Sequence, residues 1–127
     1  MTAFVLDSSA VMAVMFGEPG QEKVVATLPG ALLSMVNLSE IIAKLTMRGV
    51  NAQEAENAIR RLGVECLDFS AAQARIAGDL RSLTKPAGLS LDDRACLALG
   101  IERRAEILTA DRAWAALNLP VAVSLIR

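Results

Sequence analysis

Apolar positions along the chain fall into short continuous runs, separated by longer segments in which they recur every three or four residues. The runs are Ala3-Phe4-Val5-Leu6, Ala31-Leu32-Leu33-Ser34, Val64-Glu65-Cys66-Leu67, Glu106-Ile107-Leu108-Thr109 and Val121 to Ile126. Runs of this length bounded by turn residues predict strands, and uninterrupted apolar ones predict strands covered on both faces. Between them, Ser8 to Phe16 predicts a helix stopped by Gly17-Glu18-Pro19-Gly20, and Gln21 to Leu28 a short one ended at Pro29-Gly30. Met35, Leu38, Ile42 and Leu45 form one stripe of a helix from Met35 to Arg48, with Gly49 at its C-terminus. Asn51 caps a helix reaching Leu62, and Ser70 caps one from Ala71 to about Leu83. Lys85-Pro86-Ala87-Gly88 predicts a loop, Asp92 or Asp93 the start of a helix to about Arg103, and Ala113 to Leu117 a last short helix. Strands alternating with helices predict an α/β fold, a three-layer α/β/α arrangement around a central, mostly parallel five-stranded sheet. One domain, residues 1–127, accommodates it.

Ligands of such sheets bind beyond the carboxyl ends of the strands, so the residues that follow each strand come first. Asp7 follows the first strand, Glu40 lies in the helix after the second, Asp92 and Asp93 open a helix, and Asp111 follows the fourth strand. Taken singly, each Asp reads as a helix N-cap worth about 1 kcal/mol, Asp92 being the cap of its helix. Glu40 lies inside a helix, where the simple reading is a solvated face, although Leu38, Ile41 and Ile42 beside it are apolar. Taken together, carboxylates at one edge repel one another, and their ionised forms need a cation or a raised pKa. Oxygen donors without imidazole or thiolate suit Mg²⁺ or Mn²⁺, which polarise phosphoryl oxygens and activate water toward phosphate.

Composition narrows the chemistry. The chain has no His and no Tyr, which excludes nucleophile–histidine triads, His-ligated zinc and His acid–base pairs. Cys66 and Cys96 lie far apart in apolar runs and read as buried spectators in a reducing compartment. With 13 Lys+Arg against 14 Asp+Glu there is no basic coat for nucleic acid, and three Phe and one Trp make no base-stacking platform. No Gly-x-x-x-x-Gly-Lys and no Gly-x-Gly-x-x-Gly occurs, and Ser9 stands where a haloacid-dehalogenase-like phosphatase needs its second Asp. The 54% hydrophobic content is high, so part of Met12, Met15, Phe16, Ile41 and Ile42 is expected to line a partner groove. The N-terminal MTAFVLD meets an acid at Asp7, and the uncharged stretch Ser8 to Gly17 is short for a bilayer. The expected location is the cytoplasm, away from membranes.

FVLDSSAVMAVMF, SMVNLSEIIAKL, LSLDDRACLALG and LTADRAW, in that order, resemble the four motifs of PIN domains over nearly the whole chain. The resemblance is strongest to the small VapC-type ribonuclease toxins of toxin–antitoxin pairs. Asp7, Glu40, Asp93 and Asp111 match the acids of that family, and Thr109 matches the hydroxyl beside the fourth. Asp93 is aligned in preference to Asp92 because it directly precedes the residue opening an Ala-rich helix; the doubled acid departs from the family's pattern. The resemblance implies a Mg²⁺ (or Mn²⁺) site held by Asp7, Asp93, Glu40 and Asp111 and endonucleolytic cleavage of an RNA substrate. It also implies a cognate VapB-type antitoxin that blocks the site, and a homodimer. Ser8 and Thr109 would orient waters or ligands. Asn37, one turn before Glu40, would contact RNA or the acids, its plain alternative being a solvated side chain. Arg94 and Arg112 would either steer phosphate or form surface ion pairs of little energy. The competing reading is a non-catalytic α/β interaction module whose acids are helix caps.

Overall fold

The computed structural model describes residues 3–127. Strands β1 (Phe4–Leu6), β2 (Leu32–Ser34), β3 (Glu65–Leu67), β4 (Glu106–Thr109) and β5 (Val123–Leu125) form one sheet in the order β3-β2-β1-β4-β5, every pairing parallel. The helices are α1 (Ser8–Phe16), α2 (Gln21–Val25), α3 (Met35–Thr46), α4 (Ala52–Arg60), α5 (Ala71–Asp79), α6 (Arg81–Thr84) and α7 (Leu91–Arg103). The chain runs outward from β1 to β3 on one side and adds β4 and β5 on the other, so the strand order reverses beside β1. That reversal opens a crevice at the carboxyl edge.

The central strands β1, β2 and β4 each carry consecutive buried apolar residues because alternate residues face two different cores. Leu6, Leu33 and Leu108 join a cluster with Val11 of α1, Val24 of α2, Leu38, Ile41 and Leu45 of α3, and Ile59 of α4. Val5, Leu32 and Ile107 face the other way, against Cys96, Leu97 and Leu99 of α7, Leu80, Leu89 and Trp114. Each fully buried Leu or Ile contributes on the order of 1.5–3 kcal/mol, so both faces hold the sheet. This is the expected three-layer α/β/α arrangement, with a sheet wholly parallel where mostly parallel was expected.

Two junctions carry no loop at all. Leu6 passes through Asp7 directly into α1, and β2 ends at Ser34, whose hydroxyl caps α3 by accepting from the Val36 N–H at 3.2 Å. Asn51 and Ser70 cap α4 and α5 as expected. The boundaries move where one helix becomes two. The segment from Ala71 breaks at Leu80 into α5 and α6, and Lys85–Ala87 forms a 3-10 turn that Gly88 ends at φ 69°. Arg112–Ala116 is likewise a 3-10 turn, and Trp114 within it is buried. Gln21–Val25 stops short of Leu28, the Thr27 hydroxyl donating back to the Val24 carbonyl at 2.7 Å. No helix of the described residues is long and apolar enough to cross a membrane.

Helix α7 lies directly against β4. A Cβ at Gly100 would stand 2.6 Å from Ile107 Cδ1 and 2.7 Å from its Cγ1, so glycine lets the Ile107 side chain pack directly on the backbone of α7. This contact fixes how deep α7 sits, and α7 carries Asp93 at its other end. Gly100→Ala should therefore destabilise the protein by about 1–3 kcal/mol through overpacking. Ile107→Val in the same chain should recover part of the loss, as read by urea denaturation midpoints.

Candidate active site

The site begins where β1 ends. The Asp7 N–H donates to the Leu108 carbonyl at 3.0 Å, extending the β1–β4 ladder by one rung, while its carbonyl accepts the Ala10 N–H at 3.0 Å and starts α1. The backbone of Asp7 thus occupies the N-cap position, yet its side chain makes no capping bond. Oδ2 instead accepts the Ser9 hydroxyl at 2.7 Å and the Thr109 hydroxyl at 2.8 Å. Oδ1 is buried and has no protein partner. Burial pushes the Asp7 carboxyl above its ordinary range; the two hydroxyls and the Ser8 backbone oppose this, and the charge of Asp92 adds to it.

Ser9 and Thr109 lie 3.3 Å apart, each spending its proton on Asp7. Ser9 Oγ also accepts the Ala110 N–H at 2.9 Å and Thr109 Oγ1 accepts the Asp111 N–H at 3.0 Å. The pair clamps the turn after β4 onto the first turn of α1. Thr109 was anticipated. Ser9 was not, although a hydroxyl two residues after Asp7 was a legible signal.

Helix α7 starts earlier than expected, and its cap is Ser90 rather than Asp92. Asp93 closes a capping box, its Oδ2 accepting both the Ser90 N–H and the Ser90 hydroxyl at 3.0 Å; the Ser90 hydroxyl also lies against Asp92 Oδ1. The reason is spacing: Ser90-x-x-Asp93 puts the acid three residues after a hydroxyl cap, where it reaches back to the orphan N–H. Burial, with the charges of Asp7 and Asp92, pushes Asp93 up to about 6 against the Ser90 bonds. The same three acids and complete burial raise the Cys96 thiol well above its usual range, which leaves it unreactive. Cys66 is only half-buried.

The other expected residues separate. Asn37 is fully buried and cannot reach RNA; its Nδ2 donates to Ser8 Oγ at 3.0 Å and to the Asp92 carbonyl at 3.2 Å. Glu40 lies three residues further along α3, about 4.5 Å along its axis, and so stands on the rim. There it pairs with Lys44 at 3.6 Å and borders an open groove of about 480 Å³ with Met35, Val36, Ala43, Leu91 and Asp92. Asp111 is exposed, and its Oδ1 accepts the Ala113 N–H at 3.0 Å, so it does serve as a cap. Arg94 neither faces the acids nor forms a surface pair. Its Nη1 donates to the Ala77 carbonyl in the last turn of α5 at 2.9 Å, where a cation suits the helix dipole. Arg112 is exposed beside Asp111. Of the apolar surplus, Ile41 is core, Met12, Met15 and Ile42 are half-buried, and Phe16 is exposed beneath the Arg48 guanidinium at 4.1 Å.

The structure thus brings Asp7, Asp92 and Asp93 within reach of one another's charge, ties the Asp111 backbone to Asp7 through Thr109, and sets Glu40 on the rim of a groove it shares with Asp92. Among the described residues no three acids or thiols converge tightly enough to hold one ion by themselves. The donor set still fits Mg²⁺, which commonly takes one or two carboxylates and keeps several waters. Asp7 Oδ1 is a buried acceptor without a donor, and Asp7 and Asp93 both bear raised pKa values that a nearby cation would relieve.

Comparison with known proteins bears on the fold. The chain resembles the solved DNA-bound VapBC of Salmonella typhimurium, with a TM-score of 0.73 and 16% identity, covering 100% of both chains. It resembles a toxin–antitoxin complex from Klebsiella pneumoniae with a TM-score of 0.74 and 17% identity over 97% of each chain. A third is VapC20 of Mycobacterium tuberculosis, a sarcin-ricin loop cleaving toxin: TM-score 0.72 and 19% identity, over 90% of this chain and 95% of that one. These likenesses are of fold. No curated protein matches the chain in sequence. The family model of the PIN domain, however, matches residues 4–118, a span from β1 through the turn that Asp111 caps, and the chain belongs to the PIN-domain family.

Proposed function

We propose that this PIN domain is a divalent-metal-dependent endoribonuclease and the toxin of a toxin–antitoxin pair. The observation that carries the reading is a buried carboxylate oxygen without a donor, on Asp7, beside a second carboxyl, Asp93, whose pKa is pushed up to about 6. Helix caps do not need either feature. A bound Mg²⁺ or Mn²⁺ would supply charge neutralisation at the phosphate and a more acidic water. Asp7 and Asp93 would hold the ion directly. Asp111 and Glu40 would reach it through water, Glu40 after release from Lys44. Ser9 and Thr109 fix the Asp7 carboxylate so that one oxygen stays free, and Ser8 holds its position through Asn37. Arg112, exposed beside Asp111, would steer a phosphate toward the acids. The solved VapBC complexes of like fold support a VapB-type antitoxin as partner; a homodimer in the cytoplasm is the working form that the motif resemblance implies.

Cleavage of RNA in Mg²⁺ or Mn²⁺, abolished by EDTA, is the expected result. Asp7→Asn and Asp93→Asn should each lower the rate on the order of 10²-fold or more, as loss of several kcal/mol of charge stabilisation implies. Equal cutting in EDTA would sink the proposal.

Metal-free stability should report the same acids with opposite sign. A carboxyl raised from 3.8 to about 6 on folding binds protons more tightly in the native state. Its contribution is full below pH 3.8 and is lost as the pH rises through about 6. Wild-type protein in EDTA should therefore lose melting temperature between pH 4.5 and pH 7, conditions chosen for the assay around about 6, and Asp93→Asn should lose less. Asp7→Asn, which keeps an acceptor for Ser9 and Thr109, should melt higher than wild type at neutral pH, by a shift on the order of a few degrees.

Asp111 is the one acid for which capping has direct support. Asp111→Ala should cost about 1 kcal/mol in denaturation, while Asp111→Asn keeps the cap. A drop in cleavage by Asp111→Asn at unchanged stability would mark its charge as functional.

A further inference from the structure

We propose that Asn37 is a positioning residue that sets the separation of the Asp7 and Asp93 carboxylates, an inference that rests on the metal reading above. The two acids stand at the first turns of α1 and α7, 86 positions apart in the sequence by their numbers, 93 less 7. Asp7 is anchored to β4 through Leu108, Ser9 and Thr109. The Asp93 side chain is bonded only within α7, because the Ser90 capping box is internal to that helix. Apolar packing, with the Gly100 contact, sets how deep α7 lies, and the directional bonds between α5 and α7, from Arg94 to the Ala77 carbonyl and from Gln73 to Glu102, fix α7 against α5 and do not reach α1.

Asn37 supplies a direct link between the starts of α1 and α7. Its amide nitrogen donates one hydrogen to Ser8 Oγ at 3.0 Å, one residue after Asp7, and the other to the Asp92 carbonyl at 3.2 Å, one residue before Asp93. The orientation of the amide follows from chemistry, since the Asp92 carbonyl can only accept. Both donors of one rigid planar group are thus spent on the neighbours of the two acids. Ser34 places the strut: it ends β2 and caps α3, so Asn37 falls in the first turn of α3 and faces the crevice edge. The cost is visible too. Asn37 Oδ1 is buried without a protein donor, a poor choice for stability alone. An apolar side chain of that size would fill the space but could not fix a direction.

The spacing matters because metal–oxygen distances tolerate only about 0.2 Å, and loss of groups that orient ligands typically weakens binding 10- to 100-fold. The test is Mn²⁺ titration by calorimetry on the full chain without RNA, for wild type, Asn37→Ala, Ser8→Ala and the double variant. Asn37→Ala should weaken Mn²⁺ binding 10- to 100-fold. Ser8→Ala, which leaves the bond to Asp92, should weaken it by about threefold or more and have no further effect once Asn37 is gone. RNA cleavage by both variants should recover as Mn²⁺ is raised, which loss of fold would not allow. Should Asn37→Ala not fold, Ser8→Ala decides by itself. Mn²⁺ affinity within about twofold of wild type in a folded variant, or additive effects in the double variant, would overturn the strut while leaving the metal reading intact. A wild-type chain that binds no Mn²⁺ overturns both.

Discussion

The Asp7 carboxylate is held in a place that water barely reaches, by two hydroxyls that engage only one of its oxygens. Burial disfavours the charge, the Ser9 and Thr109 hydroxyls favour it, and burial prevails. Much of the edge of the sheet is arranged around that imbalance. The backbone of Asp7 extends the β1–β4 ladder and starts α1, which fixes its Cα, and the carboxylate cannot swing outward without breaking its bonds from Ser9 and Thr109. Thr109 ties it to the Asp111 turn, and Ser9 ties it to Ala110. The first turn of α1 and the turn after β4 therefore behave as one rigid corner.

The opposite wall of the crevice is built differently. Helix α7 is set in depth by the glycine that meets Ile107 and in charge by an acid that is also its own capping box. Capping and site chemistry are thus not alternatives at Asp93. The capping bonds stabilise the carboxylate, burial and the neighbouring acids destabilise it, and the net result leaves it raised. Asp111 is exposed, and its side chain caps the turn that follows by accepting the Ala113 N–H. The same residue type thus stands at two helix starts, half-buried at one and exposed at the other.

Fold legibility was high because the strand pattern admits few alternatives. Short apolar runs with residues facing alternately two cores require helices on both faces, and the β4 boundaries, Glu106 to Thr109, coincide with the run read from the chain. Boundaries moved at Thr27 and Ser90, where side-chain bonds compete, and at Leu80, where one helix becomes two; α3, α4 and β5 are also shorter than the segments read from the chain. Ser90 carries a local signal, the capping-box spacing to Asp93, whereas the role of Ser9 depends on Thr109 and Ala110, which only the fold brings beside it.

The amino-acid sequence alone determined the α/β class, the parallel sheet and the set of acids at its carboxyl edge, because periodicity and turn chemistry are local properties. Tertiary structure decided how those acids divide. Glu40 and Asn37 share one helix three residues apart, yet the first-turn position is sealed between two other helix starts and the next turn lies in solvent beside Lys44. Burial and direction depend on what the rest of the chain brings alongside, and no spacing within a single segment encodes that.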